Sequence, residues 1–360
     1  MGRLASILPI TTNSGREQTM IWPSAWVLVV VAGWTAVGSF VANQMMMPVF
    51  RRYALARPNA RSSHSVPTPQ GGGIGILLAC IAAVFVAAPA DWPGGNTPWP
   101  LASMVLGAVV LAIVGLIDDL RPLPVLPRLG AQILAACLGL MATGATSGAT
   151  LLSLPPWLLL PLAGLGLIWF VNLTNFMDGI DGITIAEFVP ILTVLALLTA
   201  AGRFDPGAGI LAAGLLGGLV GFEPHNRHVA KLFLGDVGSL AIGFVAGCLL
   251  LKLALDGHLI AAVILPLYYL ADATITLARR LIGGERITQA HRTHFYQRAT
   301  DLGWRVPEIT GLIAKVNIGL GMLAIAAAWD VSAIVQLATM AAAVVLTAWL
   351  LRRLSREPQR

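Results

Sequence analysis

The chain has 360 residues, of which 57% are hydrophobic and only 11% charged, with a mean hydropathy of +0.79 and a formal net charge of +6. A soluble domain carries roughly a quarter charged residues, so these figures exclude a soluble fold of this size. A positive balance alone would fit a nucleic-acid binder, but here the basic residues mark one side of a membrane, and no nucleic acid is expected as a partner.

Residues 1–21 form a polar tail without the short apolar stretch and small-residue cleavage signal of a secretory leader, so an uncleaved tail is expected. Eleven apolar runs follow, at 22–47, 73–90, 100–117, 129–145, 154–173, 183–200, 207–222, 237–255, 258–278, 309–328 and 331–351. Their lengths match the roughly 17–25 residues that cross a bilayer as a helix. The expected fold is therefore an all-α polytopic integral membrane protein of ten or eleven helices. A single transmembrane domain spans 22–351 and a basic tail closes the chain at 352–360. Cys80, Cys137 and Cys248 lie far apart inside apolar runs and read as small buried hydrophobes, not as a disulfide or metal set.

Lys and Arg concentrate in cytoplasmic loops. Arg51, Arg52, Arg57 and Arg61 follow the first run, Arg121 and Arg128 the third, Arg227 and Lys231 the seventh. A larger group from Arg279 to Arg305 follows the ninth, and the C-terminal tail is basic. The even-numbered connections are short and nearly free of positive charge, with Arg203 the clear exception. This alternation predicts an N-terminus outside and a C-terminus in the cytoplasm. The loops 51–72, 118–128, 172–182, 223–239 and 279–308 then share the cytoplasmic face.

Those loops carry the chemistry. The first contains His64-Ser65-Val66-Pro67-Thr68-Pro69-Gln70-Gly71-Gly72-Gly73, where glycines permit close backbone approach and N–H groups before a helix could receive a phosphate. The simpler reading is a tight loop that lets helices pack. Asp118-Asp119 end the third run, against the helix macrodipole. Adjacent acids there call for a cation or a proton-transfer task, since a plain solvated cap would carry Lys or Arg. The stretch Asn172-Leu173-Thr174-Asn175-Phe176-Met177-Asp178-Gly179-Ile180-Asp181-Gly182 sets amides and carboxylates at the end of an apolar run. Ionisable groups at a membrane segment read as a functional site. Asn172, Asn175 and Asp178 share a helical face, and such oxygens suit a hard cation such as Mg2+, with Mn2+ a substitute. Before the eighth run, Phe233 could stack on a base or anchor the interface, and Asp236 could be a helix cap. In the last loop His291, Arg292, His294 and Arg298 could hold phosphate or move protons; a basic surface facing anionic lipid is the simpler reading.

Taken together, and in this order over roughly residues 50–300, these motifs resemble those of the polyprenyl-phosphate N-acetylhexosamine-1-phosphate transferases. The resemblance implies transfer of a sugar 1-phosphate from a UDP-sugar to undecaprenyl phosphate at the cytoplasmic face of a bacterial inner membrane, releasing UMP. It implies that Asn175 and Asp236 hold Mg2+, and that Asp118, with Asp119 beside it, readies the lipid phosphate. Asp178 and Asp181 fall in its nucleotide-sugar region and Phe233 lies against uracil. His64, Gly72, Asn172, Arg292 and Arg298 are the remaining substrate contacts expected. His291 and His294 match the outer members of a His-x-His-His loop in which this chain has Thr293, a departure that leans toward enzymes initiating O-antigen or other surface-glycan synthesis. The expected partners are the donor, the lipid acceptor and the bilayer, with a homodimer left open.

Two rivals stand beside this reading. One is the related transferase that uses a UDP-muramoyl-peptide donor. The other is a transporter, but transporters place their polar groups at the midplane on paired broken helices, and here the acids gather on one face.

Overall fold

The computed structural model describes residues 25–56, 67–87, 99–147, 151–285, 291–329 and 332–358. The tail 1–21, His64, Arg57 and Arg61 lie outside the described residues. Thirteen α-helices run through them: α1 Ala25–Tyr53, α2 Gly73–Ala87, α3 Trp99–Leu120, α4 Val125–Ala142, α5 Pro156–Met177, α6 Ile183–Ala200, α7 Pro206–Asn226, α8 Asp236–Leu253, α9 Leu259–Ile264, α10 Leu267–Ile282, α11 Phe295–Asp301, α12 Val306–Trp329 and α13 Ala333–Leu354. Among the described residues, nine helical stretches are long and apolar enough to cross a membrane. The expectation of ten or eleven differs at two places. The described part of α2, Gly73–Ala87, is shorter than the other spans, and the run 258–278 is divided into α9 and α10 beside Pro266. Proline has no N–H to give to a helix and clashes with the preceding turn, and α10 restarts with Pro266 as its N-cap.

The central helix is α8. Every residue from Val237 to Leu250 is buried, as expected of a helix that is apolar on all sides. It packs against α2, α3, α4 and α5. Glycines set the distances: a Cβ at Gly243 would lie 2.8 Å from Thr174 of α5, and one at Gly115 of α3 would lie 2.4 Å from the carbonyl oxygen of Asp236. On the other side, α7 meets α1 through Gly217 and Gly221, whose Cβ atoms would come within 2.0 Å of the carbonyls of Ala32 and Ala36. Small residues four apart allow this backbone approach between membrane helices. Trp26, Trp34 and Val37 of α1 and Ile334, Leu337 and Val345 of α13 are exposed, the faces a bilayer would cover. Cys80 and Cys248 are buried as expected, whereas Cys137 stands on an exposed face of α4.

Outside the helices, β1 Leu55–Ala56 pairs antiparallel with β2 Thr68–Pro69, in the register Leu55 with Pro69. Gln70 then bridges in parallel to Phe233. The loop after α1 is thereby laid against the segment that leads into α8.

Replacing Gly221 with leucine should push α7 from α1 and cost about 1–3 kcal/mol, the usual range for overpacking. Reversible unfolding in mixed micelles measures it, and an unchanged midpoint would contradict the packing described.

Candidate active site

Asp119, at the last turn of α3, points its carboxylate at the start of α8. It accepts the N–H of Asp236 at 2.9 Å and of Val237 at 3.1 Å. The charge that opposes the dipole of its own helix thus meets the positive end of another. Asp118 is also engaged, accepting the N–H of Leu123 at 2.6 Å and pairing with Arg128 of α4 at 2.9 Å. The other arm of that guanidinium lies 4.0 Å from Asp236. Two carboxylates, Asp118 and Asp236, thus share one arginine.

Asn175 reaches this group from the last turn of α5. Its Nδ2 donates to Asp236 Oδ1 at 2.7 Å and to Ser239 Oγ at 3.0 Å, which leaves Oδ1 with no donor among the described residues. Past the helix end, Asp178 accepts the Thr184 hydroxyl. Burial pushes the Asp178 carboxyl up to about 7; the Thr184 bond opposes the shift and the charges of Asp119 and Asp181 add to it. The turn is closed by Gly182, at φ 76°, whose N–H donates to Asn226 at 2.8 Å. Asp181 is paired with His228 Nδ1 at 2.8 Å and accepts the N–H of Ala230 at 3.1 Å.

Asp119, Asn175, Asp178, Asp181, Phe233 and Asp236 line one cavity of about 420 Å³. Three motifs expected to act together therefore lie together. Gln70, Asn226, His228 and Gln297 line the same cavity and were not singled out as site residues from the sequence. Gln70 also donates to the carbonyl of Asp119 at 2.8 Å. The signal in each case was a lone polar residue beside a stronger motif.

Other expected residues stand elsewhere. The N–H groups of Gly71 and Gly72 both donate to the carbonyl of Phe233 and that of Gly73 to Leu234, so this loop does not offer them to a phosphate. Gly72 is instead required by contact: a Cβ there would lie 2.2 Å from the Phe222 ring. Asn172 is not in the cavity lining; it exchanges two amide hydrogen bonds with Gln132 of α4, at 3.1 and 3.0 Å.

The histidine loop also stands outside the lining. His294 is buried, its Nδ1 3.1 Å from Asp272, and the same carboxylate accepts the N–H groups of Phe295 and Tyr296. It caps α11 and does not reach the cavity. His291 stacks on His294 with centroids 4.9 Å apart. Burial, with His294 and Arg280 nearby, pushes its imidazole down to about 4, so it offers hydrogen bonds and no charge near neutrality. Arg292 is engaged with Thr300 and Asp301, and Arg298 is exposed. What α11 does bring to the cavity is Gln297, fixed by the Tyr296 hydroxyl donating to the Phe176 carbonyl at 3.0 Å.

The chain is thus a helical membrane protein with acids, an asparagine and an aromatic ring around one cavity at its helix ends. The sequence model of glycosyl transferase family 4 matches residues 101–254. A phospho-N-acetylmuramoyl-pentapeptide-transferase of Synechococcus is 30% identical over 324 residues, 82% of this chain and 91% of its own. The chain belongs to this family. It is also similar to the decaprenyl-phosphate N-acetylglucosaminephosphotransferase of Mycobacterium tuberculosis, 35% identical over 57% of this chain and 55% of the relative. The aligned part thus spans about half of that relative. A probable undecaprenyl-phosphate N-acetylglucosaminyl 1-phosphate transferase of Bacillus subtilis is 26% identical over 74% of this chain and 76% of its own.

Between about pH 4 and about 7 the Asp178 carboxyl is protonated in the fold and ionised in the unfolded chain. Its contribution to stability is full below that window and is lost as pH rises through it. Asp178→Asn keeps an acceptor for Thr184 but does not titrate. The thermal midpoint of the variant minus that of the wild type should therefore grow with pH across the window, and a constant difference would contradict the assignment.

Proposed function

We propose that the chain transfers a sugar 1-phosphate of the N-acetylhexosamine type from a UDP-sugar to a polyprenyl phosphate, releasing UMP. The observation that carries this reading is the convergence of Asp119, Asn175, Asp178 and Asp236 on one cavity beside Phe233. Family membership and the printed activities of the two N-acetylglucosamine phosphotransferase relatives support the same reaction class. The Lys and Arg distribution supports a cytoplasmic active face in a bacterial inner membrane.

The donor set fits Mg2+. The oxygens are hard, carboxylates outnumber the one guanidinium among them, and Asn175 Oδ1 is left without a donor. No group of three or more His, Cys, Asp or Glu suited to a metal occurs among the described residues, which is compatible with an ion that keeps its waters and leans on substrate phosphates. Asp236 and Asn175 would hold it, and when bound it supplies neutralisation of pyrophosphate charge.

The rest falls to the chain's own groups. Phosphoryl transfer needs positioning and charge stabilisation more than covalent help. An oxygen of the lipid phosphate attacks the phosphorus that bears the sugar, the bond to the bridging oxygen breaks, and UMP leaves. Asp118, tied to Arg128, is set to orient the lipid phosphate, and Phe233 offers a face for uracil. Asp178, with its carboxyl near neutrality, can present a proton or an acceptor to the donor. The acceptor's chain lies in the bilayer and the donor arrives from the cytoplasm. The lipid-linked sugar so formed would start an O-antigen or another envelope glycan.

Purified protein in nanodiscs, given undecaprenyl phosphate, Mg2+ and a panel of UDP-N-acetylhexosamines, should release UMP with one of them. Asp236→Ala should lower the rate by about 10²–10³-fold, the scale for loss of one charge-stabilising group. Undiminished release by the variant would contradict the site. Consumption of only a UDP-muramoyl-pentapeptide would transfer the reading to that donor.

A further inference from the structure

A separate cavity of about 370 Å³ lies where the end of α10 meets the end of α13 and the start of α11. Arg279 of α10 and Arg352 and Arg356 at the end of α13 line it, with Ile275, Leu351 and Phe295 as apolar walls. The Arg279 guanidinium lies over the Phe295 ring, 4.8 Å from its centroid. Among the described residues, Arg128, Arg227, Arg280, Arg292 and Arg305 each have a carboxylate within ion-pair distance. None of the three arginines of this cavity does. Positive charge from two helices far apart in sequence is thus brought to one place with no carboxylate within ion-pair distance among the described residues.

The position of that charge says what would complete it. α13 is one of the stretches able to cross a membrane, and Arg352 and Arg356 sit in and after its last turn. Ile275 is four residues before Arg279, about one turn deeper along α10, and Leu351 directly precedes Arg352. The cavity is therefore cationic toward the membrane boundary and apolar further in. Guanidinium forks suit phosphate oxygens, and basic clusters just cytoplasmic of a span attract anionic lipid. A soluble phosphate would leave the apolar wall uncovered, and a zwitterionic lipid would bring its own cation to the arginines.

We propose that this cavity binds the headgroup of an anionic bilayer phospholipid, with phosphate oxygens on Arg279, Arg352 and Arg356 and an acyl chain along Ile275 and Leu351. α11 joins the two cavities, with Phe295 in one lining and Gln297, two residues on, in the other. Binding of the lipid does not depend on the proposed reaction.

Native mass spectrometry of the full chain, released from detergent with phosphatidylglycerol or phosphatidylcholine of matched acyl chains, tests this. The wild type should retain one phosphatidylglycerol in preference to phosphatidylcholine. The double variant Arg352→Gln/Arg356→Gln should bind it at least about tenfold more weakly, and Arg352→Lys/Arg356→Lys should recover part of the loss. Both positions are exposed, and an unchanged thermal midpoint certifies the fold. Equal retention of the two lipids, equal binding by the glutamine variant, or displacement of the lipid by millimolar inorganic phosphate would each overturn the proposal.

Discussion

The carboxylate of Asp119 holding the N–H groups of Asp236 and Val237 is the contact on which the arrangement turns. A helix start leaves its first N–H groups without partners. By meeting them from α3, Asp119 fixes where α8 begins, and so where Asp236 stands. The same contact brings the Asp119 and Asp236 carboxyl groups into one neighbourhood, which nearby positive charge stabilises. The dipole of α8 and Arg128 supply part of it. The remainder is the charge that the proposed cation would supply.

Close approach of backbones makes that contact reachable. Gly115 lets α3 lie against the carbonyl of Asp236, and a Cβ at Gly73, where α2 starts, would stand 2.1 Å from Gly238 of α8. Phe233 and Leu234, just before α8, are held by Gly71, Gly72 and Gly73 through main-chain bonds. The glycine loop thus acts by ordering the wall on which Phe233 sits. His294 and Asp272 do comparable work at the other rim, fixing α11 so that Gln297 faces the cavity.

The sequence made the helical membrane architecture legible because hydropathy is local: each run reports its own burial in lipid. It also made Asp119, Asn175, Asp178, Asp181, Phe233 and Asp236 legible as a set, because ionisable and polar groups at the ends of apolar runs are costly unless used. Partnerships across the chain were not legible. Nothing local says that Asn172 answers to Gln132, that Asp119 answers to α8, or that the glycine N–H groups are taken by Phe233. The basic, histidine-bearing loop looked like a phosphate site by composition, yet burial and Asp272 draw His294 inward. Cys137 shows the same limit, since hydropathy alone does not separate a lipid-facing position from a core one.

The central claim, that Asp236 and Asn175 with the neighbouring carboxylates form one divalent-cation site, is tested most directly by binding of Mn2+ read from its paramagnetic resonance. Folded wild-type protein in the presence of UDP should bind one Mn2+ per chain. Asp236→Asn and Asn175→Leu, each verified as folded, should bind it far more weakly. Unchanged Mn2+ binding in both variants would contradict the account.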